Sequence, residues 1–463
     1  MLPNMRFEPL APVDQAWLRM EDPTNLMMVT GILIFDQPLD FDRLRATFEH
    51  RLLRFRRFRQ RVVTVGNTAR WEDDPNFTLS AHLRRIALPA PHDQATLQDL
   101  VSDMMSTPID FTKSPWQYHL IENYNGGCVL LGRLHHCIAD GIALIRVLLA
   151  MTDESPDAPW PSATDSHEPE HRARSPLATV NATVRSAEKL LADGFDLLGE
   201  PGKLAEVART GAGSATALSR LVLMSPDPHT AFKGPLGVAK RAAWSQPVPL
   251  DAVKAIGRAV GGTVNDVLLA AVTGALRRYL QGRGQNVDGL DIRAAMPVNL
   301  RPPDEPLTLG NRFGLVFLSL PIGVDDPLDR LFDLKERMEA IKHSPEAIVA
   351  FGILMGLGVA PSALQDMGVS IFGSKATAVM TNVPGPREML YMAGAPINQI
   401  MFWVPQSGRL GLGVSILSYA GNVTLGIATD SGLAPDPDEI ITAFHEEFNT
   451  LLKLVPSKPD SAD

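Results

Sequence analysis

The chain has 463 residues, which is too many for a single hydrophobic core, so we expect at least two domains. Hydrophobic residues make up 45% of the chain and charged residues 21%, which is typical of a globular protein and excludes a disordered one. The net charge of -9 gives no overall reason to expect nucleic acid as a partner. An anionic ligand would therefore need a local basic patch.

Cysteine usage and hydropathy predict the compartment. Cys128 and Cys137 are too few for a disulfide framework and have no metal-type spacing, which favours a reducing cytoplasm. Residues 1–17 contain no apolar run of the kind that marks a secretory signal. The longest apolar stretch, Val349–Ala360, is much shorter than the roughly 20 residues that span a bilayer. We expect a cytoplasmic protein whose contact with a membrane is at most peripheral.

Strand and helix patterns alternate over residues 1–151, which we take as an N-terminal lobe. Apolar runs predict strands at Met28–Phe35 and Val129–Leu134, and helical spacing predicts helices at Phe41–Leu53 and Ile142–Met151.

Composition changes over residues 152–236. Thr152–Pro176 carries five prolines and few large apolar residues, which predicts a linker. Helical periodicity at 177–198 and 203–223 then predicts a helical hairpin.

The alternation returns over residues 237–455, a predicted C-terminal lobe followed by a tail at 456–463. Helices are predicted at Leu250–Val260, Val264–Leu280 and Pro437–Leu452, and strands at Lys240–Ser245, Ile292–Pro297, Phe313–Pro321, Ala376–Thr381, Gly411–Leu417 and Val423–Ala428. Val349–Ala360 fits a buried helix, a wall of a ligand tunnel or a membrane contact. The predicted fold is α/β, with two lobes of mixed sheet and helices joined by a helical linker.

The segment that carries chemistry is His135-His136-Cys137-Ile138-Ala139-Asp140-Gly141, between a predicted strand and a predicted helix. Histidine is the side chain best suited to act as a general base near neutral pH. Asp140 can organise the turn through an Asx-type bond or an ion pair, and Gly141 permits a tight entry into the helix.

Two other interpretations of this segment stay open. Adjacent histidines with an aspartate at a strand end also occur as a hydrogen-bonded structural cluster. A metal site is disfavoured, because the spacing lacks the helical ligand pair of metalloproteases and no third clustered His or Cys completes it. We therefore expect no metal and no separate cofactor.

The whole pattern resembles the HHxxxDG signature of the CoA-dependent acyltransferase superfamily. Further segments resemble one branch, the bacterial wax ester synthase/acyl-CoA:diacylglycerol acyltransferase family. In chain order these are Pro9–Asp14 with Trp17-Leu18, Trp71–Pro75 with His82, Thr263–Ala270, Pro297–Arg301, Gly310–Arg312, Thr381–Pro386 and Ser418–Gly421. The series covers nearly the whole chain in the expected order. One departure is Ser114-Pro115-Trp116, where the family usually has Pro-Leu-Trp.

The resemblance implies two lobes of chloramphenicol-acetyltransferase type and His136 as the catalytic base. His135, Asp140 and Gly141 would support it, and Asp140 would hold the loop without contacting substrate. Asn265 and Asp266 near a helix start are ordinary capping residues, or Asn265 lines the tunnel and supports the thioester carbonyl.

The run Arg51–Arg61 is the most basic in the chain. We favour a helix C-terminus with Leu52, Phe55 and Phe58 facing the core. The alternative is contact with CoA phosphates or anionic lipid headgroups.

We expect an O-acyltransferase that uses a long-chain acyl-CoA and acylates diacylglycerol, a fatty alcohol or both. Its contact with a membrane or a lipid inclusion would be peripheral. The alternatives are acylation of a different hydroxyl acceptor, a condensation-type enzyme that uses a carrier-protein thioester in place of CoA, and a lipid-binding or inclusion-coating protein that has lost turnover. Acceptor preference and oligomeric state depend on features that the sequence does not specify.

Overall fold

The computed structural model of the chain describes residues 7–66, 68–162, 223–301, 309–342, 346–359 and 362–455. Apart from residue 223, the helical hairpin predicted at 177–198 and 203–223 lies outside these ranges, and so does the tail at 456–463. The domain boundaries that depend on those segments stay predictions.

The described strands are β1 Phe7–Pro9, β2 Met28–Phe35, β3 Gln60–Val65, β4 Thr68–Asp73, β5 Leu83–Ala87, β6 Trp116–Tyr124, β7 Gly127–His135, β8 Lys240–Trp244, β9 Val248–Pro249, β10 Ile292–Asn299, β11 Phe313–Leu320, β12 Ala378–Pro384, β13 Tyr391–Met392, β14 Ala395–Pro396, β15 Gln399–Trp403, β16 Leu412–Tyr419 and β17 Asn422–Asp430.

The described α-helices are α1 Pro12–Arg19, α2 Phe41–Thr47, α3 Gln94–Met105, α4 Gly141–Met151, α5 Leu250–Val260, α6 Val264–Gly282, α7 Pro327–Lys342, α8 Glu346–Val359, α9 Ser362–Ser374 and α10 Pro437–Leu452. A π-helical turn follows α2 at Phe48–Leu52, and 3₁₀ turns lie at Arg56–Arg59 and Leu79–Ala81.

The N-terminal sheet has five strands in the order β15-β2-β7-β6-β5. Every residue of the central strand β7 is buried, including Arg133, as its mostly apolar sequence predicts for a strand covered on both faces. Met28, the first residue of β2, lies opposite His135, the last residue of β7, so both residues are at the same end of the sheet. The loop that carries His136 starts at that end.

The edge strand β15 comes from the C-terminal half of the chain and pairs antiparallel with β2. Its Trp403 is almost fully buried, donates its indole N–H to the Ile427 carbonyl 3.2 Å away on β17, and packs edge-on against Trp244. This strand therefore joins the N-terminal sheet while its Trp403 packs against the other sheet.

The C-terminal sheet has the order β11-β10-β12-β16-β17-β8, with β9 also pairing with β17. Its main cover is α6, which begins with a capping box between Thr263 and Asp266 and is buried along most of its length. Gly261 ends the preceding helix α5 with φ of 65°, a conformation that favours glycine.

Most predicted elements are confirmed. Met28–Phe35, Leu250–Val260 and Pro437–Leu452 have the predicted bounds. The helix predicted at Phe41–Leu53 is α-helical only to Thr47 and then continues as the π-helical turn. The apolar stretch from Val349 lies in α8.

No described helix is, on its own, both long and apolar enough to cross a membrane. The pair α5 and α6, bent by 97°, meets the criterion together by length and composition.

Candidate active site

The loop between β7 and α4 connects the two halves of the protein. On one side the His136 N–H donates to the Met27 carbonyl at 2.8 Å. On the other side Asp140 and Ile138 exchange backbone hydrogen bonds with Gly310, at 3.2 and 3.0 Å. The loop is therefore fixed by main-chain bonds to the residue that precedes β2 and to the segment that precedes β11.

The imidazole of His136 is buried against aromatic rings. It stacks on Trp17 of α1, with 4.2 Å between ring centroids and 19° between planes, and lies 5.7 Å from the ring of Phe313. Burial lowers the pKa of His136 to about 4, while the Asp140 carboxylate opposes this shift and the neighbouring His135 adds to it. The ring is consequently neutral at physiological pH, the state that a general base requires.

His135 points away from this environment. Its Nδ1 accepts the Cys137 N–H at 3.1 Å, its Nε2 lies 3.4 Å from the Glu21 carboxylate, and its ring meets Phe111 edge-on. These contacts give His135 a structural place beside the loop.

Asp140 organises the loop in both of the predicted ways. Its Oδ1 accepts the Ala143 N–H at 3.0 Å and so caps α4. Its Oδ2 accepts the Arg312 N–H at 2.9 Å and pairs with the Arg301 guanidinium at 2.8 Å. Arg301 also donates to the Gly310 carbonyl at 2.6 Å, so a buried ion pair closes the junction.

Gly141 is not required for a tight backbone, contrary to the prediction. Its φ lies outside the left-handed region, and a Cβ placed there would meet no atom within 4 Å. The missing side chain instead leaves open space, because Gly141 lies on the walls of two adjoining cavities.

The structure gives the adjacent residues Asn265 and Asp266 different contacts. Asp266 completes the capping box of α6 and is a helix cap, the simpler of the two predicted roles. Asn265 does not line the cavity at His136, but its Oδ1 accepts from Nδ2 of Asn382 at 2.7 Å, and Asn382 does line it. Asn265 thus contacts the cavity only through a second asparagine.

Two polar residues next to His136 received no individual role from the sequence. Asn311 donates Nδ2 to the His136 carbonyl at 2.8 Å, and to Asp14 of α1 at 2.8 Å. Burial raises the pKa of Asp14 to about 6, although its hydrogen bonds from Asn311 oppose the rise. Both lie inside segments that carry the family resemblance, and that was the only sequence signal for them.

The cavity at His136 has an empty volume of about 990 Å³. Polar groups on its wall include Asn299, Thr381, Asn382 and Ser407. A second cavity of about 980 Å³ lies between the N-terminal sheet and α4 and shares Gly141, Val383, Phe402 and Val404 with the first. A third of about 580 Å³, lined partly by α8 and α9, shares Trp17, Leu315 and Ser407 with it.

The basic run Arg51–Arg61 is largely neutralised within the protein. Four of its arginines face carboxylates, in the pairs Arg51–Asp153, Arg56–Asp73, Arg57–Glu8 and Arg61–Glu72. Leu52 and Phe58 are fully buried and Phe55 is partly buried, as the preferred interpretation predicted. The pairing leaves less free positive charge for phosphates or headgroups than the sequence alone indicates.

The junction gives a first prediction. Replacing Arg301 with alanine leaves the Asp140 carboxylate buried and uncompensated, so the free energy of unfolding should fall by about 3–5 kcal/mol in urea titrations. Arg45→Ala removes an exposed pair with Glu49 and should cost less than about 1 kcal/mol. Equal losses in the two variants would show that the Asp140 pair does not fasten the junction.

Two family models together match most of the chain. The model "Wax ester synthase/diacylglycerol acyltransferase catalytic domain" matches residues 10–268, and "WS/DGAT C-terminal domain" matches residues 309–452. Two curated relatives from Mycobacterium tuberculosis (strain ATCC 25618 / H37Rv) are named probable diacyglycerol O-acyltransferases. One, tgs1, is 26% identical over 96% of both chains. The other, tgs2, is 28% identical over 96% of this chain and 99% of its own length.

Solved structures show the same fold. The wax ester synthase/diacylglycerol acyltransferase from Marinobacter aquaeolei VT8 matches with a TM-score of 0.67 and 23% identity, over 96% of this chain and 99% of its own. The TRI3 trichothecene 15-O-acetyltransferase from Fusarium sporotrichioides matches with a TM-score of 0.64 and 14% identity, over 98% and 96%. These matches confirm the predicted two-lobe α/β acyltransferase fold. Since the catalytic-domain model alone spans more than half of the chain, this protein belongs to the wax ester synthase/diacylglycerol acyltransferase family.

Proposed function

We propose that this protein transfers a long-chain acyl group from acyl-CoA to the hydroxyl of diacylglycerol or a fatty alcohol, with His136 as the general base. The observation that carries the proposal is a buried, neutral imidazole on the wall of a cavity that adjoins two further, mostly apolar cavities. Clefts lined by apolar residues with a few polar groups are typical ligand sites.

The chemistry needs one proton acceptor. His136 takes the hydroxyl proton as the alcohol oxygen forms a bond to the thioester carbonyl carbon. Collapse of the tetrahedral intermediate breaks the carbon–sulfur bond, and the imidazolium returns its proton to the CoA thiolate. Acyl-CoA is a co-substrate in this scheme, which uses no separate cofactor and no metal.

Cys137 is an unsuitable nucleophile despite its place next to His136. The side chain is fully buried, and burial raises the pKa of its thiol well above the usual range. A thiol that is not ionised does not form an acyl-enzyme readily, which supports direct transfer between the two substrates.

The adjoining cavities provide room for hydrocarbon chains. The cavity beside α4 is walled by Leu130, Leu144 and Leu148 among other apolar residues, and Gly141 leaves its border with the His136 cavity free of a side chain. A chain that lies there gains about 0.8 kcal/mol for each methylene removed from water. The cavity therefore favours a long-chain substrate.

The function is tested by measuring free CoA released from palmitoyl-CoA by the purified protein with 1-hexadecanol, dioleoylglycerol or no acceptor. Release should depend on the acceptor, and His136→Ala should lower the rate by about 10²–10⁴-fold through loss of the base. Thin-layer separation of the esters identifies the preferred acceptor. Acceptor-dependent release that survives in the variant would remove His136 as the base. No release with either acceptor would favour another alcohol or a lipid-binding protein.

The buried environment predicts an unusual pH profile. Because the pKa of His136 is lowered to about 4, the base stays neutral as pH falls through 6.5, so protonation of His136 itself should lower kcat/KM only towards pH 4. The measurement is the initial rate from pH 8 to pH 4, with folding checked by circular dichroism at each pH. If kcat/KM declines around pH 6.5 and still does so in Asp14→Asn, the result would contradict the assignment of His136 as the base. A decline around pH 6 that disappears in Asp14→Asn would instead report the titration of Asp14.

The cavity beside α4 gives a specificity prediction. A Cβ at Gly31 would make only ordinary contacts, 3.5 Å from the Met401 carbonyl oxygen and 3.6 Å from Phe402, so Gly31→Val should fold and narrow the cavity. In Gly31→Val, the ratio of kcat/KM for a C16 substrate to that for a C8 substrate should fall about fourfold for each methylene that loses its apolar contact. The fall should affect the substrate whose chain lies in this cavity, either the acyl-CoA or the alcohol. Acyl-CoAs and alcohols of both lengths are compared separately, beside Gly282→Ala at an open helix end. Unchanged chain-length preference for both substrates would show that no chain occupies this cavity.

A further inference from the structure

Among the buried polar atoms that lack hydrogen-bond partners, one belongs to the proposed base and another to the side chain that binds its carbonyl. Across the described part of the chain, nothing makes a hydrogen bond to Nδ1 of His136 or to Oδ1 of Asn311. Buried polar atoms are nearly always satisfied, so an unpaired donor and an unpaired acceptor on neighbouring side chains invite an explanation. The two residues are already in contact through Nδ2 of Asn311 and the His136 carbonyl.

The orientation of the Asn311 amide is forced by its surroundings. Nδ2 donates to Asp14 Oδ1 at 2.8 Å and to the His136 carbonyl at 2.8 Å. The ionised carboxylate and the carbonyl are both acceptors only. Turning the amide over would place its oxygen against two acceptors, and the Asn311 N–H is also bound to Asp14 Oδ1, at 2.9 Å. Oδ1 must therefore be the free end of the amide.

A histidine that acts as a base through one ring nitrogen must carry its proton on the other. With Nδ1 buried and Nε2 the nitrogen left for substrate, the productive tautomer is the one protonated at Nδ1. That tautomer presents an N–H donor that needs an acceptor nearby. Asp140 does not provide one, because its oxygens bind the Ala143 N–H, the Arg312 N–H and the Arg301 side chain.

We propose that Asn311 is a positioning residue that holds His136 in the Nδ1–H tautomer through its Oδ1, and that Asp14 fixes the orientation of the Asn311 amide. The role rests on the proposed function of His136 as base and deepens it. In support, the Asn311 side chain and the His136 carbonyl both oppose the lowering of the pKa of His136, as acceptors of a ring proton would. Stacking on Trp17, one turn of α1 after Asp14, holds the ring plane in place.

The kinetic test uses Asn311→Ala and Asp14→Asn. The first removes the acceptor, and the second lets the Asn311 amide turn so that its N–H₂ group faces Nδ1 and favours the unproductive tautomer. Both should lower kcat by about tenfold to a hundredfold, as losses of orienting partners do, with KM for palmitoyl-CoA within about twofold of wild type.

Glu447→Gln is the matched control, since it makes the same change of a buried carboxylate to an amide. Glu447 pairs with Arg330 and Arg278, far along the chain and on no described cavity wall. This variant should lose stability and keep kcat. A comparable loss of kcat in Glu447→Gln would mean that the effect at Asp14 is a general consequence of destabilisation.

A spectroscopic test reads the tautomer without catalysis. In protein labelled with ¹⁵N-histidine, the signal of His136 is identified among the 11 histidines by its loss in His136→Gln. The wild-type protein at pH 7 should show a protonated Nδ1 and an unprotonated Nε2, and Asp14→Asn should show the reverse or a mixture. A wild-type ring protonated at Nε2, or an unchanged tautomer in Asn311→Ala and Asp14→Asn, overturns the proposal. If His136→Ala keeps full activity, the base assignment fails while this spectrum still tests Asn311. If a variant does not fold, the wild-type spectrum decides alone.

Discussion

The active site depends on the bonded junction between the loop after β7 and the segment before β11. Backbone bonds join Ile138 and Asp140 to Gly310, and the Asp140–Arg301 ion pair closes the same contact. A buried ion pair is a weak source of net stability but a strong constraint on geometry, because removing one partner leaves a buried charge uncompensated. These bonds fix the position of the segment before β11 relative to the loop after β7. As a consequence, Asn311 and Phe313 lie beside His136.

Burial of the imidazole has opposing effects on its chemistry. It keeps the ring neutral, and so ready to accept a proton, at every physiological pH, but it also makes the ring a weaker base in the resting protein. In the proposed mechanism an imidazolium forms in the transition state, and the same low-dielectric surroundings would strengthen its attraction to the Asp140 carboxylate. In that mechanism, the groups that hold the loop also stabilise the charge that the reaction creates.

Local patterns in the sequence predicted β2, β7, the six long strands of the C-terminal sheet and the helices α4, α5, α6 and α10, because apolar periodicity and capping residues act over a few neighbouring positions. They did not predict β5, β6, α1 or α3. The loop of His136 and Asp140 was predicted from its strand–loop–helix setting and the family resemblance. Strand β15 was not predicted either, because its partner β2 is more than 360 residues away and the sequence of Gln399–Trp403 does not indicate this pairing. The roles of Asn311 and Asp14 depend on contacts over 175 and 297 residues, and the cavities beside Gly141 depend on the packing of both halves. Such information lies in the folded arrangement and in no single segment.

The central claim is direct transfer between two substrates that meet at His136, without a covalent acyl-enzyme. Initial velocities measured over a grid of palmitoyl-CoA and preferred-acceptor concentrations test it most directly. Double-reciprocal plots should intersect, because both substrates must be bound before the thioester carbon is attacked. Parallel lines, together with a burst of CoA released before any acceptor is added, would show an acyl-enzyme intermediate and contradict the account.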